Sequence, residues 1–329
     1  GIDLPLRRWT GNLLRVYQDN SNAWDIEIDF KDKFYETHLV SLEVLEDTKN
    51  RGILRVCRKF NKSLITQDIT IYSSINRIDF KSKVDWHESE LLLKASFPVN
   101  VISDHAAYEI AYGTITRPTH NNTSWDKAKF EVSAHKWADL SDNGYGVSLL
   151  NDCKYGYDIK SNLLRISLLR STLSPDHRAD QGEHEFTYSL YPHKNNWAKG
   201  DVVKNGYNLN VPAKAVYVSG KNDGVLPTEY SFINLCPSCE NVIIDTLKAA
   251  EDSNDLILRV YESCGVYTNA KIDLHLKINQ VIETNLMEID EKEMPMSNNN
   301  SSNSNNNNSF SFNIRPFEIK TFRLKKEAR

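Results

Sequence analysis

An all-β chain in two sandwich-like parts is predicted by three observations. Apolar and polar residues alternate with a period of two over long runs, turn dipeptides punctuate those runs, and helical signals are few. Ile78, Phe80, Val84 and Trp86 alternate with polar residues, as in a strand with one buried face. Ile272, Leu274, Leu276 and Ile278 alternate with Lys271, Asp273, His275 and Lys277, predicting one strand through all of them.

The remaining strand segments are Gly52 to Phe60, Leu64 to Tyr72, Leu91 to Val101, Gly146 to Asn151 and Leu256 to Glu262. They are rich in Ile, Val, Tyr and Phe and end at Asn-Gly, Asp-Gly or Asn-Asp turns. Val242 to Glu251 reads either as an amphipathic helix or as a strand ending near Lys248; a short apolar run does not decide between them. Gly220, Asn222, Asp223 and Gly224 interrupt the pattern between Pro212 and Pro227. This places a larger sandwich over 1–215 and a smaller one over 216–329. Ser297 to Ser309 contains only Ser and Asn. Such a segment buries nothing to offset its ordering entropy, so a disordered loop within the second sandwich is expected.

At 329 residues the chain is long enough for two cores. A net charge of -4 with no basic face excludes a nucleic-acid footprint. No apolar run approaches the roughly 20 residues that span a bilayer, and nothing after Gly1 resembles a signal peptide. Five cysteines make no disulfide framework. Cys57 is expected as a small buried hydrophobe, and the Cys236-x-x-Cys239 pair as reduced structural thiols. Asn61, Asn121 and Asn122 open Asn-x-Ser/Thr sequons, which matter only in a secretory protein.

Three polar clusters are candidate chemistry. The first is Asp176, His177, Arg178, Asp180, Gln181, Glu183 and His184, expected as a loop between strands at Leu163 to Leu169 and Glu185 to Leu190. It lacks H-E-x-x-H or any other recognised ligand spacing, so it reads as a substrate-facing loop or a solvated one rather than a metal site. The second joins Arg117, His120, Trp125 and Asp126: an indole packs on a pyranose face while amides and carboxylates bond its hydroxyls. A half-buried Trp beside a polar turn is the alternative. The third is Trp24, Asp25 and Glu27. On a strand the two carboxylates would share one face about 7 Å apart, but a glycosidase pair must straddle the bond, which one strand rarely achieves.

The run from Gly113 to Val132, containing Arg117-Pro118-Thr119-His120-Asn121-Asn122 and Trp125-Asp126, resembles a characteristic segment of glycoside hydrolase family 38 α-mannosidases. Trp137 to Leu140, Asn151 to Tyr157, Pro175 to Phe186, Leu247 to Asp252, Leu258 to Glu262 and Arg315 to Phe322 continue the match in order. They are similar to the cytosolic and vacuolar branch. The resemblance implies a supersandwich like the galactose mutarotase fold followed by a smaller sandwich, with Val242 to Glu251 a strand. It implies a retaining, Zn2+-dependent, exo-acting mannosidase whose nucleophile and zinc ligands lie before Gly1, so no catalytic or metal residue is carried onto this chain. The implied role is to pack on an upstream catalytic barrel and close one wall of the mannose pocket, with Trp24, Asp25, Arg117, His120, Trp125, Asp176, Arg178, Asp180 and His184 as wall residues. Mannose-containing oligosaccharides are the expected partners, with no nucleic acid and no membrane, and a homo-oligomer is compatible with the reading. A cytoplasmic or vacuolar/lysosomal location is expected. A stand-alone carbohydrate-binding module and a purely structural sandwich are the alternatives.

Overall fold

Period-two alternation gives each strand one apolar face, and antiparallel sheets bury such faces against one another. The computed structural model describes residues 11–220, 224, 226–299 and 307–326. The chain divides into two units, 1–110 with 115–213 and 111–114 with 214–329.

Among the described residues the larger unit holds two sheets. The six-stranded sheet runs in the order Val132–Ser133, Gly156–Lys160, Leu163–Ser171, Leu91–Pro98, Leu13–Gln18, Phe34–Glu36. The nine-stranded sheet runs His38–Asp47, Arg51–Phe60, Ser63–Tyr72, Ile78–Trp86, Gly182–Lys194, Tyr145–Asn151, Trp137–Ser141, His105–Ile110, Gly113–Pro118. Their core includes Val84, Trp86, Leu93, Phe97, Leu149, Ile166, Phe186 and Tyr188. Trp86 stacks on Phe60 at 6.2 Å and donates its indole N–H to Ser171 Oγ at 3.1 Å, linking the two sheets. Tyr188 stacks on Phe80 at 5.1 Å. Its hydroxyl is satisfied inside the core, donating to Asn12 Oδ1 and accepting from Gln67 Nε2 at 2.7 Å.

The inner face is not covered everywhere. Leu42 pairs with Val56 and Val44 with Leu54, so these side chains share the face that carries Ile65 and Phe80. Yet Leu39, Leu42 and Val44 are more than half exposed, while Val56 is buried. Among the described residues, the edge strand His38–Asp47 thus carries core-type residues with no layer over them.

A helix at Val202–Asn210 was not anticipated from the sequence, because Gly206 and three Asn give it poor intrinsic propensity. Packing overrides propensity there: Val202 and Val203 are buried, and Gly206 lies so close to Trp137 that a Cβ would stand 2.9 Å from the indole.

The smaller unit also has two sheets among the described residues. One orders Ile233–Leu235, Thr268–Leu274, Asn307–Ile314, Met296–Asn299; the other Val242–Ala249, Leu256–Glu262, Ile319–Lys326, Ile278–Thr284, Asp290–Met294. Phe310, Phe312 and Phe322 meet at its centre, with ring centroids 4.8–5.8 Å apart. Buried Glu262 accepts from Asn241 Nδ2 and from the N–H groups of Cys264, Gly265 and Phe317, at 2.7–3.0 Å. Four donors replace the water that a buried carboxylate loses.

Several expectations are corrected here. The run from Ile272 to Ile278 is not one strand: residues 275–277 bend and hand the chain from one sheet to the other, with His275 N–H bonded to Phe232 O at 2.9 Å. The strand from Leu91 ends at Pro98, not Val101. The Asn/Ser segment is not a loop at its ends, where Ser297 pairs with Ser309 and Asn299 with Asn307. Backbone ladders need no apolar side chain, and the adjacent buried Phe310 holds the register. The rest of the expected loop, 300–306, lies outside the described residues. Cys236 and Cys239 are not reduced but disulfide-bonded; a turn with Cys239 N–H on Cys236 O sets their Cα atoms 5.4 Å apart, within bridging reach. Cys57 is only half-buried and faces Thr66. Val242–Ala249 is a strand, as the family resemblance implied.

His193 ends the long strand Gly182–Lys194 inside the protein. Its Nε2 is 2.7 Å from Asp139 Oδ2, Ser148 Oγ donates to the same carboxylate at 2.7 Å, and Tyr191 stacks on the ring. A Cβ at Gly146 or Gly200 would overlap the imidazole. Burial opposes protonation of His193, but Asp139 outweighs it and raises the pKa above the ordinary 6.5. A raised folded pKa stabilises fully below the unfolded pKa and is lost as pH rises through the folded value. Urea midpoints of the wild type should therefore fall as pH rises above about 6.5, and His193→Gln should flatten that slope. Trp86→Ala should cost about 3–5 kcal/mol in urea unfolding, through the cavity it leaves and the Ser171 bond it removes.

Candidate functional site

Arg170, near the end of Leu163–Ser171, organises two of the three candidate clusters. Its Nε donates to the buried Asp19 carboxylate at 2.5 Å. Its Nη2 donates to Ser21 Oγ at 2.8 Å, Asn22 O at 2.9 Å and Asp25 O. Arg170 N–H donates to Asp180 Oδ2 at 2.8 Å, and Ala23 N–H to Ser174 O at 2.9 Å. One guanidinium and two backbone bonds thus join the 19–25 turn to the 172–181 loop in a single rim.

Within that rim the polar side chains hold backbone. Asp25 Oδ1 accepts from Ile26 N–H at 2.8 Å and Asp176 Oδ1 from Arg178 N–H at 2.9 Å. The loop is shorter than expected: Gly182 already begins the next strand, so His184 lies on it, with its Nε2 2.8 Å from Asp180 O. The 19–29 segment is a succession of turns, so Asp25 and Glu27 do not share a strand face and form no glycosidase pair. What stands free is Trp24, 77% exposed; Asp176 and Arg178 of the neighbouring loop are exposed too. An exposed indole on a held backbone can pack on a sugar face; it supplies no positioned acid and base.

The remaining cluster is built separately. Arg117, on Gly113–Pro118, lays its guanidinium 4.6 Å over the Tyr108 ring, and burial lowers its pKa. Trp125 sits in the first turn of a short helix, Ser124–Ala128, capped by Thr123 and Asp126 in a reciprocal box. Helical placement leaves Trp125 80% exposed, against the half-buried alternative. His120 Nδ1 accepts from Asn122 N–H and lies 3.8 Å from Asp126 Oδ2. Among the described residues no hydrogen bond or ion pair ties Arg117, His120 or Trp125 to the Arg170 rim. The two regions share only an apolar support, since Ile26 and Phe130 both pack on Tyr17, Phe30 and Leu92.

Beneath them, the outer face of the six-stranded sheet buries charge that the sequence reading did not single out. Lys94, with no exposed side-chain surface, is 2.6 Å from Glu131, and Asp158 pairs with Arg165 and, at 3.2 Å, with Lys31. Burial alone would raise the Asp158 pKa, but Arg165, Lys94 and Lys31 overcome it and hold the carboxyl below the usual range. Lys and Arg at alternate positions of apolar strands were the available signal. No three His, Cys, Asp or Glu side chains converge among the described residues as they would around a metal ion, so these residues do not fit a zinc site.

Residues 6–178 match the family described as "Glycosyl hydrolases family 38 C-terminal domain", and 241–322 match "Glycosyl hydrolases family 38 C-terminal beta sandwich domain". The chain is 38% identical over 329 residues to "Alpha-mannosidase G" of Dictyostelium discoideum, covering 95% of this chain and 29% of that protein. It is 40% identical over 229 residues to "Alpha-mannosidase 2C1" of Homo sapiens, covering 69% and 22%. To "Alpha-mannosidase" of Saccharomyces cerevisiae it is 34% identical, covering 95% and 31%. The chain thus spans less than a third of the length of these relatives. The crystal structure of an alpha-mannosidase from Enterococcus faecalis V583 superposes with a TM-score of 0.72 over 95% of this chain and 38% of that one, at 15% identity, a likeness of fold.

Arg170→Ala should free both rim segments and leave Asp19 buried without its cation. A loss of roughly 3 kcal/mol in unfolding, with new proteolytic cuts in 19–25 and 172–181, is the expected result.

Proposed function

The chain belongs to glycosyl hydrolase family 38, of which it is a C-terminal part, and on that premise we propose that it serves a retaining, zinc-dependent α-mannosidase as its non-catalytic support. In this reading the nucleophile and the zinc ion belong to the rest of the polypeptide. The observation that carries it is the uncovered inner face at Leu39, Leu42 and Val44. Core-type residues on an unpaired edge strand invite a covering partner, and the catalytic barrel of the same polypeptide is the partner assigned here.

The second half of the proposal is the wall of the mannose pocket. The rim of Trp24, Asp25, Asp176, Arg178, Asp180 and His184 would face the substrate, with Arg117, His120 and Trp125 as a second wall segment. Its support is the exposure of both indoles on segments whose backbones are held by Arg170 and by the Thr123–Asp126 cap. Rigid backbone under an exposed ring lowers the ordering cost of gripping a sugar. The substrates are mannose-containing oligosaccharides, and the location is cytoplasmic or vacuolar/lysosomal.

The purified 329-residue chain is expected to release no mannose from an aryl α-mannoside, with or without added zinc. Zinc-dependent turnover by this chain would overturn the assignment.

A further inference from the structure

A cleft of about 620 Å³ opens on the larger unit, and none of the candidate wall residues named above lines it. Its floor is Phe60, which continues inward to buried Trp86, and Tyr35 leans on Phe60 at 6.1 Å with its ring 47% exposed. Its walls carry Glu36, His38 and Glu90 together with the amides of Gln18 and Asn61. Glu88 completes the lining but is already committed: it accepts from Ser63 Oγ at 2.7 Å, Lys62 N–H at 3.1 Å and Asn61 Nδ2 at 3.3 Å. Gln18 Nε2 donates to Asn20 Oδ1 at 3.0 Å. Each amide keeps a second N–H, while Glu90 offers acceptors; Glu36, opposite Arg15, borders the cleft by its backbone with its side chain on the other face of the strand.

The combination selects the ligand's chemistry. An aromatic face asks for a flat apolar surface, the Glu90 carboxylate asks for donors, and the spare amide N–H groups ask for acceptors. A simple ammonium or guanidinium ligand satisfies the carboxylate but cannot accept from the amides. A pyranose does all three, with C–H bonds on one face and hydroxyls that both donate and accept. The turn that bears Glu90 is tied to the Arg170 rim: Glu90 N–H donates to Ser171 O at 2.6 Å, Asp19 N–H to Glu90 O at 2.9 Å, and Gln181 Nε2 to Ser89 Oγ at 3.0 Å.

We propose that this cleft is a second sugar subsite, in which Tyr35 stacks on a mannosyl unit and the Glu90 carboxylate accepts hydrogen bonds from its hydroxyls, so that the chain grips an oligosaccharide beyond the unit held at the Trp24 rim. The choice of mannose rests on the family reading given above.

The full chain should be titrated by calorimetry with mannose, with a linear α-mannotriose and with spermidine as a cationic probe. The trisaccharide is expected to bind more tightly than mannose. Tyr35→Ala should weaken the trisaccharide about tenfold and leave mannose unchanged, while Tyr35→Phe should retain binding and show that the fold is intact. Trisaccharide binding indifferent to Tyr35→Ala, or spermidine binding without trisaccharide binding, would overturn the subsite. The two proposals fail separately: turnover by the chain alone sinks the non-catalytic assignment without touching the Tyr35 effect, and Tyr35 indifference sinks the cleft without producing turnover.

Discussion

Strands in a sheet stand about 4.8 Å apart, so a nine-stranded sheet reaches about 14 Å beyond a six-stranded partner. That mismatch shapes the larger unit. Where the sheets overlap, Trp86, Phe186 and Tyr188 are wholly enclosed. Where the overlap ends, residues of the same type at Leu42 and Val44 meet solvent. The cleft around Tyr35 is bounded by both sheets, with Phe60 at its floor and Leu91 at its side. Core, uncovered edge and cleft are therefore consequences of one unequal pairing.

The six-stranded sheet treats its two faces differently. Its inner face is apolar, whereas its outer face sets Lys94, Arg165 and Asp158 beneath the segment that carries Phe30 and Lys31. Buried ion pairs contribute little net stability, because desolvation offsets attraction. What they supply is a penalty on every misplaced alternative, since a shifted segment strands a charge. An irregular stretch such as 19–33 has little regular hydrogen bonding of its own, and this is how it is held in one position.

The sequence was informative wherever side-chain period decides the outcome. Ile78–Trp86 ends where the alternation ends, and Leu256–Glu262 has the bounds its β-branched and aromatic composition marks. Period says nothing about where a chain leaves one sheet for another, so the bend at 275–277 was hidden inside an unbroken alternation. Nor does it see a helix such as Val202–Asn210, which is held by the packing of Val202, Val203 and Gly206 against its own poor propensity. Of the candidate residues, the side-chain types were legible but their setting was not. Arg170 was not singled out, because its partners at 19–25 lie about 150 residues away in sequence. The disulfide was missed because thiol spacing alone does not reveal the turn between Cys236 and Cys239.

The position of strand Leu13–Gln18 bears on how the protein is made. It lies between Leu91–Pro98 and Phe34–Glu36, and the residue just before it, Asn12, bonds a tyrosine 176 positions later. During synthesis at about 5–20 residues per second, Asn12 waits roughly 10–35 s for the tyrosine that bonds it. For all of that time the strand's apolar side chains lack their final cover. The delay is set by where the closing tyrosine lies in the sequence rather than by the strength of any one contact.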